Sequence, residues 1–117
     1  MTFKSDAVFD EIKERINTEK ELVKKVSTAF RITVTASDGT VKKWTVDTKS
    51  DPAYVGNEDR EVEVEINIKD DDFMKIAQGK MKPDQAFMQG KMKLKGNITK
   101  AMKLKTILDP SMLKSKL

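Results

Sequence analysis

The sequence contains no cysteine and no histidine, and these two absences remove several classes of function. Without cysteine there is no disulfide, no thiolate nucleophile and no sulfur-ligated metal. Without histidine, the commonest general base and metal ligand at neutral pH is missing. No apolar run approaches the roughly 18 residues of a membrane-spanning helix, and the amino terminus lacks the apolar segment of a secretory signal. We therefore expect a non-secreted protein that is not an enzyme and needs neither a metal nor a cofactor.

The 117 residues correspond to a single domain with a modest core and a highly charged surface. Hydrophobic residues make up 38% of the chain and charged residues 36%, well above the usual share of about 25%. The charge is uneven. Residues 58–74 carry a net charge of −6, whereas residues 75–117 carry eleven lysines against Asp84 and Asp109, a net charge of +9. The last third of the chain is therefore predicted to form a basic surface.

Two short helices are predicted at the amino-terminal end. Ser5 and Asp6 are typical of a helix start, where a side-chain oxygen or an acidic group meets the positive end of the helix dipole. The apolar stripe that follows at helical spacing consists of Phe9, Ile12 and Ile16. Thr18 and Glu21 have the spacing of a capping box. This pattern predicts a second short helix that ends at Lys25.

Alternating apolar and polar residues predict a sheet in the middle of the chain. Residues 29–47 alternate on both sides of Asp38-Gly39, a pair typical of a tight hairpin turn. Residues 53–56 form a predicted short edge strand after Pro52. Residues 61–68 alternate most regularly, with apolar side chains on one face and acidic or amide side chains on the other. One polar face indicates an antiparallel sheet whose helices cover only the apolar side.

The remaining elements are three short helices and one strand. Asp70-Asp71-Asp72 favours a helix start, and Gly79 ends that helix. Pro83 suits the first turn of a helix over 83–89, with Ala86 and Phe87 facing inward. Met92 and Leu94 alternate with lysines as the last strand. A final helix is predicted between Asn97, its cap, and Pro110, which ends it. Its wide apolar face consists of Ile98, Ala101, Met102, Leu104, Ile107 and Leu108.

The acidic run Asp70-Asp71-Asp72 allows two interpretations, a cation site or a helix start. Three consecutive carboxylates point in different directions, and a calcium loop needs alternate ligand positions with a glycine. The helix start is the favoured interpretation. No pair of carboxylates suited to general acid–base catalysis stands out elsewhere.

The basic final third leaves three interpretations open. Lysines neutralise phosphates in nucleic-acid binding, but single-strand binders also need exposed aromatics, and Phe87 is the only aromatic residue after position 75. A lysine-rich face also docks on anionic lipid, at about 1 kcal/mol per lysine near the surface. The third interpretation is that the lysines only keep the domain soluble. Nucleic acid is the weakest of the three.

Methionine is concentrated in the same region. Six of the seven methionines lie within 74–112: Met74, Met81, Met88, Met92, Met102 and Met112. Flexible thioether side chains suit either ordinary gap-filling in a core or an apolar cavity whose contents vary. The apolar pair Met112 and Leu113 follows Pro110 and needs a surface to cover. Several short helices over one sheet face pack imperfectly, which favours a lipid-binding hollow.

The region from Phe73 to Leu104, FMKIAQGKMKPDQAFMQGKMKLKGNITKAMKL, closely resembles the signature region of the sterol carrier protein-2 (non-specific lipid-transfer) domain family. The segment KSDAVFDEIKERI is similar to the family's first helix, and WTVD at 44–47 to its second strand. The block over 79–97 is long and specific. The resemblance covers nearly the whole chain.

This resemblance implies a fold and a function. It implies an α/β fold with a five-stranded mixed, largely antiparallel sheet, about five helices on one face and an apolar tunnel between them, over residues 1–114. It implies non-catalytic binding and transfer of fatty acids, fatty acyl-CoAs and sterols, and we expect the carrier to be a monomer. The tunnel-lining positions carried over are Phe87, Met88, Ile98, Met102, Leu108 and Met112. A buried lipid carboxylate would need a polar partner. Arg15, Arg31 and Gln89 are the candidates, and the alternative for all three is a simple surface position.

The last three residues, Ser115, Lys116 and Leu117, have the form of a peroxisomal address that an import receptor reads. We therefore expect a peroxisomal matrix location, with the cytoplasm as a second location. The alternative to the lipid carrier is an interaction module of the same fold with a filled core. Such a module would dock through its lysine-rich face on a partner protein or, transiently, on an anionic membrane.

Overall fold

The computed structural model describes residues 6–50, 53–103 and 107. These residues form five helices and five strands. In chain order they are α1 (Asp6–Thr18), α2 (Lys20–Val26), β1 (Ala29–Thr35), β2 (Val41–Asp47), β3 (Tyr54–Gly56), β4 (Val64–Lys69), α3 (Asp70–Ala77), α4 (Pro83–Met88), β5 (Met92–Gly96) and α5 (Ile98–Ala101). In the part of the chain described, no helix has the length and apolar character needed to cross a bilayer.

The five strands form one mixed sheet in the order β3-β2-β1-β4-β5. The predicted hairpin pairs β1 with β2, and the short strand β3 continues the sheet at one edge. β4 returns to lie parallel to β1 on its other side, and β5 pairs antiparallel with β4 at the opposite edge. The sheet therefore has three antiparallel pairings and one parallel pairing. The predicted mixed, largely antiparallel, five-stranded sheet is confirmed.

The register gives the sheet one apolar face and one polar face. Ile32 lies beside Ile66 of β4 and Trp44 of β2, and all three are on the face that the helices cover. On the other face, Thr33 lies beside Asn67, whose neighbour on β5 is Lys93. Since the helix-facing strand residues are mostly buried and the others mostly partly exposed, the helices cover a single face, as predicted.

A stack of aromatic rings links α1 to the sheet and to α3. The ring of Phe9 stacks on Trp44, with centroids 4.3 Å apart, and on Phe73, with centroids 5.0 Å apart. In both pairs the ring planes are nearly parallel, with an angle of 9° between them. Phe9 and Phe73 have no exposed surface. The apolar stripe of α1 therefore packs into the centre of the core, and this part of the molecule is densely filled.

Several predicted boundaries differ from the structure. The capping box at Thr18 and Glu21 is wrong, because Thr18 is the last residue of α1 and its hydroxyl donates to the carbonyl of Glu14 at 2.9 Å. The N-cap of α2 is Glu19, whose side chain makes no capping hydrogen bond. β4 begins at Val64 rather than at position 61, although Glu63 just before it still donates its backbone N–H to the carbonyl oxygen of Ala29 at 3.1 Å.

The acidic run Asp70–Asp72 lies in the first turn of α3, as the helix-start interpretation predicts. Asp70 is buried. The described ranges contain no group of three or more acidic side chains arranged to hold a metal ion. The predicted cap of the last helix is also confirmed, because the side chain of Asn97 accepts a hydrogen bond from the backbone N–H of Lys100 at 3.1 Å.

Candidate functional site

Four of the six lining residues predicted from the resemblance lie on the elements around β5. Phe87 and Met88 end α4, which leads into β5, and Ile98 begins α5, which follows β5. Their exposed fractions are 38%, 85% and 51%, respectively. Met102 follows α5, is half-buried and packs against the core. These four side chains are thus apolar groups at an incompletely covered edge of the domain.

Leu94 adds a fifth apolar side chain to this region. It lies beside Ile66 in the register and therefore on the helix-facing side of the sheet. Ile66 is fully buried, whereas Leu94 is only half-buried. α4 and α5 both contact β5. We call these five residues, Phe87, Met88, Leu94, Ile98 and Met102, the β5 apolar patch. Clustered exposed apolar side chains mark binding surfaces.

Phe87 does not face inward as predicted. α4 is six residues long, and its buried positions are Pro83 and Ala86, three residues apart on one side of the helix. Phe87 lies about 100° further round the helix and points away from that side. The alternation of β5 already placed Leu94 on the apolar face, but sequence reasoning assigned it only to the strand. Ile98, predicted on the covered face of the last helix, is likewise exposed.

Arg15, the predicted head-group partner, is buried, with 6% of its surface exposed. Its Nη1 donates to the carbonyl oxygen of Ile107 at 2.8 Å, and its Nε donates to the carboxylate of Glu19 at 3.0 Å. Ile107 is fully buried. Arg15 therefore places a charged guanidinium inside the molecule and connects α1 to the carboxyl-terminal part of the chain.

The two other head-group candidates lie elsewhere. Arg31 is on the polar face of the sheet, where it pairs with Glu65 at 2.9 Å and donates to the carbonyl oxygen of Arg60 at 2.7 Å. Gln89 is exposed just after α4. The structure does not bring either of them together with Arg15. Leu108, Met112 and the tripeptide 115–117 lie outside the described residues.

An acidic residue fixes α5 over the sheet. The ammonium group of Lys100 on α5 donates to the carboxylate of Glu63, and the Lys49 ammonium lies 3.3 Å from the other carboxylate oxygen. The hydrogen bond from Lys100 holds the pKa of the Glu63 carboxyl below its usual value, although burial opposes the shift. Since the charged carboxylate is favoured, this ion-paired arrangement anchors α5 beside β4 at neutral pH.

The site offers the chemistry of a binding surface: an apolar patch at one sheet edge and a buried cation on α1. Comparison with known proteins agrees with this. Residues 9–109 match the model of the SCP-2 sterol transfer family. The "Non-specific lipid-transfer protein-like 1" of Caenorhabditis elegans is 70% identical over 118 residues, covering the whole of both chains. This full-length match confirms the prediction of a carrier rather than an enzyme.

A second relative contains the domain as part of a larger protein. The "Peroxisomal multifunctional enzyme type 2" of Mus musculus is 38% identical over 107 residues, which cover 89% of this chain and 15% of that protein.

Solved structures confirm the fold. The apo form of sterol carrier protein 2 from Yarrowia lipolytica superposes with a TM-score of 0.82 at 28% identity and covers 94% of this chain and 93% of that one. Sterol carrier protein-2 from Aedes aegypti in complex with palmitate has a TM-score of 0.75 at 24% identity, covering 94% of this chain and 98% of that one. Since the family model spans most of the sequence, the chain belongs to the SCP-2 sterol transfer family.

Proposed function

We propose that the protein binds long-chain fatty acids and fatty acyl-CoAs, and also sterols, and carries them as a monomer. The hydrocarbon would lie in an apolar tunnel between the helix-facing side of the sheet and the carboxyl-terminal part of the chain. The observation that carries this proposal is the β5 apolar patch, in which Phe87, Met88 and Ile98 are exposed and the other two side chains are only partly buried. The family membership and the palmitate complex of the Aedes aegypti protein support it.

The lining of this tunnel is part of the proposal. It would include Phe87, Met88, Ile98, Met102, Leu108 and Met112, with Arg15 near the polar end of the ligand. Burying ten CH₂ groups of an acyl chain contributes about 8 kcal/mol gross, at about 0.8 kcal/mol each. Loss of ligand motion and ordering of side chains reduce this figure. Dissociation constants of about 1 μM or somewhat lower follow, which allow exchange.

Copurified lipid tests the carrier function directly. We expect that organic extraction of the purified protein, followed by mass spectrometry, recovers fatty acids or related lipids at a substantial fraction of the protein concentration. After delipidation, a fluorescent fatty acid should bind, and a panel of fatty acids, acyl-CoAs and sterols should displace it. A panel with no displacement at micromolar concentration, together with an extract free of lipid, would contradict the carrier function.

A second candidate function is docking on an anionic membrane through a filled domain. The polar face of the sheet favours it, because the exposed lysines Lys43, Lys69, Lys93 and Lys95 lie on that face, on strands β2, β4 and β5. Each such lysine adds about 1 kcal/mol near an anionic surface. The same displacement panel separates the two candidates. Binding to anionic vesicles without uptake of any monomeric lipid would favour docking over transport.

We propose a peroxisomal location, in which residues 1–114 form the lipid-binding domain and Ser115-Lys116-Leu117 is read by the import receptor. The form of the tripeptide supports this, as does the name of the peroxisomal relative from mouse. Removal of Leu117 is expected to leave lipid binding of the purified protein unchanged and to leave a fluorescent fusion in the cytosol. Continued import of the shortened protein into peroxisomes would rule out the address.

A further inference from the structure

A groove lined by lysines lies beside the end of α2, where Lys103, just after α5, donates to the carbonyl oxygen of Val26 at 3.2 Å. It is formed by the end of α1, by α2 and by residues 48–50 and 53, and its volume is about 480 Å³. This volume falls within the range of roughly 300–1,000 Å³ that small-molecule sites occupy. Its lining combines Lys20, Lys24 and Lys49 with the apolar side chains of Ile16, Val23 and Ala53. The groove therefore offers both positive charge and an apolar surface.

The positive charge of the groove is incompletely neutralised. Lys20 and Lys24 are one turn apart on α2, a spacing at which like charges destabilise a helix. Among the described residues neither ammonium group has an ion-pair partner, since the nearby carboxylate of Glu19 is held by Arg15. Lys49 alone is ion-paired, with Glu63 at 3.3 Å. An anion bound between the two free lysines would relieve their repulsion.

The apolar side of the groove is continuous with the core. Ile16 lines the groove, yet it belongs to the buried stripe of α1, and Val23 packs against the same core. Arg15, which immediately precedes Ile16 on α1, is also buried. A ligand whose hydrocarbon lay beneath the carboxyl-terminal part of the chain, which Arg15 holds through the carbonyl oxygen of Ile107, would thus leave its polar end in the groove. Such a ligand must carry both a hydrocarbon chain and anionic groups.

We propose that this groove holds the phosphate-bearing end of fatty acyl-CoA, with Lys20 and Lys24 binding the phosphates. The proposal rests on the proposed lipid-carrier function and names one ligand class of that carrier. Acyl-CoA joins a hydrocarbon to several phosphates through a flexible arm, which matches the order of core, apolar groove wall and lysines. Phosphate oxygens are strong acceptors for ammonium groups. A free fatty acid has no phosphate group that could bind these lysines.

The test compares palmitoyl-CoA with palmitate on the delipidated full chain. The affinity of each ligand is measured by its displacement of a fluorescent fatty acid. The measurement is made on the wild type and on the double variant Lys20→Gln/Lys24→Gln. We expect the variant to bind palmitoyl-CoA about 10-fold more weakly, as two charge-assisted contacts are lost, and palmitate unchanged within about twofold. Raising the salt concentration, which shortens the screening length from about 30 Å to about 8 Å, should weaken wild-type binding of palmitoyl-CoA more than that of the variant.

A matched control is Lys80→Gln/Lys91→Gln, which removes two exposed charges that do not line the groove. This control should bind both ligands like the wild type. Equal loss of palmitoyl-CoA binding in both double variants would overturn the proposal, because a general charge effect would then explain it. The proposal would also be overturned if the Lys20→Gln/Lys24→Gln variant bound palmitoyl-CoA like the wild type but bound anionic phospholipid vesicles more weakly. That result would show that the lysines bind lipid headgroups.

Failure of this proposal is distinguishable from failure of the carrier function. A protein that binds palmitate and palmitoyl-CoA, with both unaffected by the Lys20 and Lys24 changes, remains a carrier but has no phosphate site in this groove. A protein that binds neither ligand contradicts the carrier function and this inference together. Thermal unfolding of each variant checks that the fold is intact. We expect it to be intact because the substituted lysines are exposed.

Discussion

Replacing Met102 by aspartate is expected to abolish measurable uptake of a fluorescent fatty acid. Met102 is the member of the β5 apolar patch that follows α5 and packs against the core while remaining half-buried. A carboxylate at this position would meet the hydrocarbon without a cationic partner. Burying it costs about 3 kcal/mol or more, which corresponds to at least about a 100-fold increase in the dissociation constant. Fluorescence titration of the delipidated protein measures the effect.

Met102→Leu is the matched control, because it keeps an apolar side chain of similar volume. This variant should bind the fatty acid within about threefold of the wild type. Thermal unfolding should show only a moderate loss of stability for Met102→Asp, because the wild-type side chain is only partly buried. A folded aspartate variant that still takes up fatty acid would show that Met102 does not line the binding site.

Replacing Gly96 by alanine is expected to lower the free energy of unfolding by about 2–4 kcal/mol. Gly96 ends β5 with φ = +97°, a conformation that L-residues rarely adopt. A Cβ atom there would also overlap with the backbone carbonyl oxygen of Glu63. That oxygen accepts a hydrogen bond from the N–H of Asn97 at 3.2 Å. The alanine side chain must therefore separate β5 from β4 and disturb the start of α5.

Gly90→Ala separates the two causes of this loss. Gly90 also has a positive φ, +74°, but a Cβ atom added there meets nothing within 4 Å. Only the backbone strain remains, so a loss of about 1 kcal/mol is expected. Chemical denaturation of both variants gives the comparison. Equal losses at the two glycines would show that the close approach of Glu63 does not restrict position 96.

The pattern of the sequence predicts the local elements because each is determined by residues close together in the chain. Alternation identified the hairpin over 29–47 and the strand that became β4, and the glycines and prolines marked the ends of α3 and α4. The parallel pairing of β4 with β1 could not be read in this way. It brings residues more than thirty positions apart into register, and no local pattern encodes which strands become neighbours.

The candidate site was only partly predictable for a similar reason. The resemblance supplied Met102 and Ile98, but the direction in which a side chain points depends on how a short helix is rotated against the sheet. α4 turned Ala86 rather than Phe87 inward. The burial of Arg15 likewise depends on a hydrogen bond to Ile107, ninety-two residues further along the chain. The lysines of the groove come from α2 and from the segment after β2, which the sequence alone does not place together.

The uneven covering of the sheet has a consequence for how such a molecule exchanges cargo. The aromatic stack of Phe9, Trp44 and Phe73 packs α1, β2 and α3 tightly together. In contrast, β5 and its flanking helices bury few large side chains. Segments with fewer buried contacts open at a smaller fraction of the global unfolding free energy. Local opening of β5 and its flanking helices can therefore admit or release a lipid while the rest of the domain stays folded. Loading and release then need no global unfolding.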